Sequence, residues 1–151
     1  NPSVMALTRQ KLSPIRHSLS KENLCSYGAY ELNSSSKNPT VTLYASGSEV
    51  NLAISTMNLL NKNKISCRII SVPCFELFKN QKLAYQNKIK GNSKVNVSIE
   101  AGVKMGWNDI CPEGTLNISI ESFGASAPYE ELYKYFGLSS EKIYKQIIKK
   151  I

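Results

Sequence analysis

Val41-Thr42-Leu43-Tyr44-Ala45-Ser46-Gly47-Ser48-Glu49-Val50 carries the change of period that decides the fold. Its first five residues are β-branched, aromatic or apolar, the composition of a buried strand. Ser46 stands three residues before Glu49. That is the capping-box spacing, in which each side chain satisfies an orphan N–H at a helix start. Val50, Ala53, Ile54, Met57 and Leu60 then recur at helical spacing and make one apolar face. A strand, a turn and a helix in that order form the repeating unit of an α/β layer.

Working outward, the same alternation continues. Ile65 to Val72 reads as the next strand, closed by Pro73, and Val95 to Ile99 alternates apolar and polar residues as a strand does. Gly102 to Ile110 is expected as a short helix and Leu116 to Ile120 as a short strand. Glu130 to Phe136 and Ser139 to Ile151 read as helices. Ser139 or Ser140 suits the last cap, and Ile143, Ile147, Ile148 and Ile151 form its apolar face. Lysines in the final turns complement the helix dipole. Upstream, Tyr27 to Leu32 fits a strand. It reaches Val41 through the short polar turn from Asn33 to Pro39, whereas a parallel crossover needs about a dozen residues. These two strands cannot be parallel neighbours. The expected fold is a layered α/β domain with a mixed sheet, mostly parallel with one antiparallel strand.

Composition narrows the function classes. At 151 residues, 42% hydrophobic and 20% charged, the chain suits one globular domain and not a disordered one. No apolar run approaches the roughly 18–20 residues of a membrane span, so no membrane partner is expected. The start, Asn1-Pro2-Ser3, lacks the basic region of a signal peptide and reads most simply as the start of a fragment. Cys25, Cys67, Cys74 and Cys111 are scattered and His17 is the sole histidine, which argues against a zinc site and fits a reducing cytoplasm. The net charge is +8, yet of 19 basic residues only Arg9, Arg16 and Arg68 are arginine. Phosphate and base recognition favours arginine, and dispersed lysine usually solvates a surface. Nucleic acid is therefore not expected as a partner. A stand-alone lysine-rich module binding an anionic partner stays as an alternative.

Few residues invite chemistry. His17 lies in the polar stretch from Lys11 to Asn23 beside Arg16 and reads as an exposed loop residue. Gly47-Ser48-Glu49 occupies a strand-to-helix turn, but Glu49 would repel an anion there and no phosphate-loop pattern is present. Glu100-Ala101-Gly102 ends a strand. Its carboxylate suits bonding to nearby N–H groups or acid–base work, with the structural role favoured. In Gly124-Ala125-Ser126-Ala127-Pro128, Pro128 suits the first helical position and Ser126 a cap. Tyr129 and Tyr133, four apart, suit a core or interface face. Trp107 suits either the core or an interdomain anchor. Arg9 follows the short apolar segment Val4-Met5-Ala6-Leu7. At a strand's carboxyl end, where open α/β sheets bind ligands, a guanidinium can grip phosphate through paired bonds.

Several segments in order resemble transketolase. Leu7-Thr8-Arg9-Gln10-Lys11-Leu12 resembles the family's S/T-R-Q-N-L, with Lys11 in place of Asn. Ala45 to Val50 resembles T/S-G-S-E-V, and Val72-Pro73-Cys74 with Phe78 and Gln81 resembles V-S-M-P…F…Q. Glu100-Ala101-Gly102 and Phe123-Gly124-Ala125-Ser126-Ala127-Pro128 are similar to E-A-G and F-G-x-S-A-P. The resemblance implies a three-layer α/β/α domain with a five-strand mixed sheet over 23–151. It also implies that 1–22 is the end of the preceding pyrimidine-binding domain and a linker. In the full-length parent it implies a cytoplasmic homodimer with thiamine diphosphate and a divalent metal, Mg²⁺ or Ca²⁺. That enzyme moves a two-carbon ketol unit between sugar phosphates of the pentose phosphate pathway. Of the family's functional residues only Arg9 maps here, as the ligand of the substrate phosphate. No catalytic, cofactor-binding or metal-binding residue is expected in this chain, and none of these groups is expected to bind it alone. The alternatives within the fold are deoxyxylulose-phosphate synthase and the β subunit of oxo-acid dehydrogenases.

Overall fold

Two strands, β1 (Tyr30–Ser34) and β2 (Val41–Ala45), open the sheet without pairing with one another. β3 (Cys67–Ser71) lies between them, antiparallel to β1 and parallel to β2. β4 (Val95–Ile99) and β5 (Leu116–Ile118) extend the sheet in parallel on the other side of β2. The order is β1-β3-β2-β4-β5, a mixed five-stranded sheet with its one antiparallel strand at an edge. β2 and β3 are buried at every position, as central strands covered on both faces must be. This computed structural model describes residues 4–5, 7–8, 10–16 and 21–151. Arg9 and His17 lie outside the described residues.

Side-chain alternation along the strands separates two cores. Val41, Leu43 and Ala45 face helices α1 (Glu49–Lys62) and α6 (Ser140–Ile148), meeting Val50, Leu60 and Ile147 there. Tyr44, Ile70 and Ala29 face the opposite way, toward α2 (Phe75–Lys79), α3 (Leu83–Lys90) and α4 (Trp107–Ile110). The layers are therefore α/β/α. Trp107 belongs to the second core and is 1% exposed, so it is not a surface anchor of this domain. Helix α5 (Tyr129–Phe136) joins the first core through Tyr133 and has no fully buried residue.

The structure moves several expected boundaries. Leu24–Tyr27 is a 3₁₀ turn ended by Gly28 at φ +76°, so the first strand starts at Tyr30. A Cβ on Gly28 would lie 2.2 Å from the backbone nitrogen of Phe78, which only glycine avoids. The helix expected from Gly102 to Ile110 contracts to α4, because Gly106 turns the chain at φ +86° immediately before it. Pro128 precedes the first helical residue of α5, and Ser126 does not cap it. Ser139 caps α6, its Oγ accepting from the Lys142 N–H at 3.3 Å. Ile143 and Ile147 are buried as expected, while Ile148 and Ile151 are exposed. Every lysine except Lys90 is exposed, which fits solvating charge.

Among the described residues Arg68 on β3 is the buried cation. It is 7% exposed and spends its donors on the end of α3. Nε donates to Thr42 Oγ1 at 2.8 Å, and Nη2 donates to the carbonyls of Ile89 at 2.7 Å and Lys90 at 2.9 Å. Nη1 reaches the Lys88 carbonyl at 3.4 Å and the Glu31 carboxylate at 3.5 Å. The last carbonyls of a helix have no partner within it and carry its negative pole, so a cation satisfies both needs. Gly91 follows at φ +60° and ψ −159°, and a Cβ there would stand 2.2 Å from Arg68 Nη2. Arg68→Met should lower the unfolding free energy by about 3 kcal/mol, since it leaves buried carbonyls without donors. Gly91→Ala should cost about 1–3 kcal/mol through backbone strain and the clash. In the Arg68→Met background the Gly91→Ala cost should shrink to the strain alone. Urea denaturation of the four chains measures this, and strict additivity would show that the two positions do not communicate.

Candidate functional site

Where neighbouring parallel strands send their chains in opposite directions, the connections part and leave a crevice at the carboxyl edge of the sheet. Here β2 leads through α1 to β3 on one side, and β4 leads to β5 on the other. The crevice therefore opens beyond Ala45 and Ile99. Ser46 and Glu100 are the next residues of the two strands, and Ser46 Oγ donates to Glu100 Oε2 at 3.4 Å. Trp107 Nε1 donates to the same oxygen at 3.2 Å. Glu100 thus takes the structural role, as an acceptor that ties α4 to the end of β2.

Burial pushes the Glu100 carboxyl above its usual range. The Trp107 bond pulls the other way, and the charge of Glu49 adds to the rise. Glu49 begins α1 and is 5% exposed. The capping-box geometry expected of Ser46 and Glu49 does not form. Ser46 turns to Glu100, and the Glu49 carboxylate accepts from Ser48 Oγ at 2.7 Å and from Tyr133 Oη at 2.5 Å. The Ser46 carbonyl accepts the Glu49 N–H at 3.1 Å instead. Tyr133 Oη in turn accepts from Gln10 Nε2 at 3.3 Å. Burial, followed by the bond to Glu49, raises the Tyr133 phenol above its usual value, so it stays a donor. Tyr129 packs edge-on against Tyr133 with ring centroids 6.0 Å apart. A cavity of about 280 Å³ lies between Gln10, Ser13, Asn51, Leu52, Tyr129 and Tyr133.

The other described residues offer little reactive chemistry. Burial pushes the Cys67 and Cys111 thiols up to about 12, so neither supplies a thiolate near neutral pH. All four cysteines are unpaired. Among the described residues no group of three His, Cys, Asp or Glu side chains could hold a metal ion. Gln10, next to Arg9 in sequence, donates its backbone N–H to Thr8 Oγ1 at 3.3 Å.

Residues 28–139 match the family model described as the transketolase-like TK C-terminal domain. The chain belongs to the transketolase family. A transketolase of Sinorhizobium medicae is 37% identical over 144 residues, which is 94% of this chain and 20% of that protein. The crystal structure of transketolase from Campylobacter jejuni superposes with a TM-score of 0.77 at 34% identity, over 88% of this chain and 20% of that one. A Pichia stipitis transketolase, solved in complex with sedoheptulose 7-phosphate, gives 0.75 at 25% identity over 83% of this chain and 18% of that one. The chain thus spans about a fifth of the length of the transketolases it matches.

The join between Gln10, Tyr133 and Glu49 escaped sequence reasoning. The spacing of Tyr129 and Tyr133 showed a face, but no pattern pairs a tyrosine with a carboxylate 84 positions away. Glu100 has a testable consequence. Its folded-state pKa is raised, so the stability it contributes is greatest at acid pH. That stability falls as pH rises from the ordinary carboxylate value through the raised one. Glu100→Gln keeps an acceptor for Trp107 and removes the buried charge. Its urea midpoint should exceed that of the unaltered chain at pH 7, and the gap should close as pH falls into the carboxylate range. A lower midpoint at pH 7 would mean that the charge itself holds the crevice together.

Proposed function

We propose that this chain works as the C-terminal part of a transketolase, with residues 1–22 ending the pyrimidine-binding domain and 23–151 forming the third domain. The observation that carries this is the match over 28–139 to the family model, together with relatives at up to about five times this length that align with nearly the whole chain. The activity proposed for the longer protein is transfer of a two-carbon ketol unit between sugar phosphates in the pentose phosphate pathway. It would run in a cytoplasmic homodimer with thiamine diphosphate and Mg²⁺ or Ca²⁺. The cofactor supplies the carbanion chemistry when bound. The described residues offer no ligand set for a divalent metal, so this chain is assigned no step through the cofactor.

Within that reading the chain contributes one substrate contact. Arg9 would bind the phosphate of the sugar. Support comes from the run Thr8-Arg9-Gln10 and from a relative whose structure contains sedoheptulose 7-phosphate. A guanidinium suits this task because its planar fork meets two phosphate oxygens at once. The carboxyl edge of this domain's own sheet is poorly suited to a phosphate, because Glu49 and Glu100 place negative charge there. No observation favours the lysine-rich anion module, since the lysines are spread over many elements.

Arg9→Ala in the full-length transketolase tests the reading. A bond to a charged group is worth about 1.5–3 kcal/mol, so kcat/KM for phosphorylated sugars should fall roughly 10- to 150-fold. Unphosphorylated acceptors should be converted as before. Equal losses with both kinds of sugar would remove Arg9 from the phosphate site.

A further inference from the structure

We propose that Tyr133, held by Glu49, is a positioning residue for the segment that carries Arg9, acting through the side chain of Gln10. The inference rests on the reading of Arg9 as the phosphate ligand.

The geometry is directional. A tyrosine has one O–H to donate and keeps lone pairs to accept with. The buried Glu49 carboxylate accepts that O–H in a 2.5 Å bond, so the lone pairs of Tyr133 Oη are left to accept, and Gln10 Nε2 donates to them at 3.3 Å. Ser48 Oγ lies 2.7 Å from Glu49 Oε1 and 3.4 Å from Tyr133 Oη, which closes the group on the side of α1. Glu49 is part of the rigid first turn of α1, so the acceptor presented to Gln10 has a fixed place relative to the sheet. Gln10 is the covalent neighbour of Arg9, one peptide unit and about 3.8 Å of Cα spacing along the chain, so a contact that fixes Gln10 acts next to Arg9 in sequence. The Gln10 N–H also donates to Thr8 Oγ1 at 3.3 Å.

Further along, the segment is held by contacts of a different kind. Ile15 packs against the first core, and the Arg16 guanidinium lies 5.8 Å from the centre of the Tyr30 ring. These contacts attach the segment to the domain, but they stand six and seven residues from Arg9. The Gln10 contact is adjacent to it. Holding a ligand at the correct distance matters because a small displacement weakens a charge-assisted pair and loses its fork geometry.

The test uses the full-length transketolase with Tyr133→Phe, which removes Oη and keeps the ring. KM for phosphorylated sugars should rise roughly 3- to 10-fold, the worth of one neutral hydrogen bond, while kcat at saturation holds. In an Arg9→Ala background the same change should have no further effect on KM, because the residue it positions is gone. Gln10→Ala should reproduce the KM rise, and adding Tyr133→Phe to it should add nothing. An unchanged KM, or effects of Tyr133→Phe and Arg9→Ala that multiply, would overturn the proposal. So would equal losses for phosphorylated and unphosphorylated sugars, which would mark a general loss of folding that the unfolding midpoint registers. If Arg9→Ala shows no phosphate dependence, the phosphate reading itself fails, and the positioning role falls with it. If only Tyr133→Phe lacks the effect, the phosphate reading stands and the positioning role alone is lost.

Discussion

The buried guanidinium of Arg68 is the interaction on which the second face of the domain depends. A charge is taken out of water only if every bond it had there is replaced. Arg68 meets this demand with Thr42 on the neighbouring strand and with the carbonyls of Lys88, Ile89 and Lys90. The end of α3 is thereby held to the underside of β2 and β3. Elsewhere on α3, Tyr85 packs against the second core and donates to the Ala29 carbonyl at 2.8 Å, but apolar burial is slight. Of its own residues only Ile89 is buried, and Leu83 is largely exposed. Tyr44, fully buried on β2, adds a bond from its Oη to the Lys90 carbonyl at 2.8 Å. Gly91 has no side chain because Arg68 occupies the space one would need.

Topology then places polar groups at the opposite, carboxyl edge. With β1 antiparallel to β3, the parallel strands form the order β3-β2-β4-β5, and the chain paths diverge between β2 and β4. In many open α/β sheets such a crevice receives a ligand. Here it is occupied by the domain's own side chains. Glu100 is engaged by Ser46 and Trp107, and Glu49 by Ser48 and Tyr133. Polar groups satisfied in this way rigidify a site and define one arrangement of it. They also repel anions. An anionic ligand is therefore disfavoured in this crevice.

The central layer was legible because its residues leave few alternatives. Val41–Ala45 and Val95–Ile99 form strands at the limits read from their composition, and the short connection after the first strand correctly excluded a parallel pair with β2. The stretch from Phe75 to Lys90 was silent, because α2 and α3 bury so few side chains that no apolar period develops. The capping-box spacing misled for a different reason. Ser46 and Glu49 stand at the right separation, but tertiary partners, Glu100 and Tyr133, outcompete the local bonds. Arg68 was visible only as charge. Its burial follows from a helix end that arrives 20 residues later in the chain. Arg9, the one residue that resemblance singles out, lies outside the described residues, and the role proposed for it rests on sequence alone.

Helix α5 shows why a polar bond can matter more here than its small energy suggests. It has no fully buried residue, and its contact with the first core runs through a half-buried face that includes Tyr133. Elements with little buried apolar area open locally at modest cost. A hydrogen bond between two exposed residues would add little under those conditions, since water replaces it. The bond from Tyr133 to Glu49 differs because Glu49 is 5% exposed at the first turn of α1. Breaking it would leave a buried carboxylate short of a donor, which costs more than the bond contributes when made. The same oxygen that holds α5 to α1 also receives Gln10. Displacing α5 would break the contact to Gln10 at the same time, so one hydroxyl joins a weakly packed helix both to α1 and to Gln10.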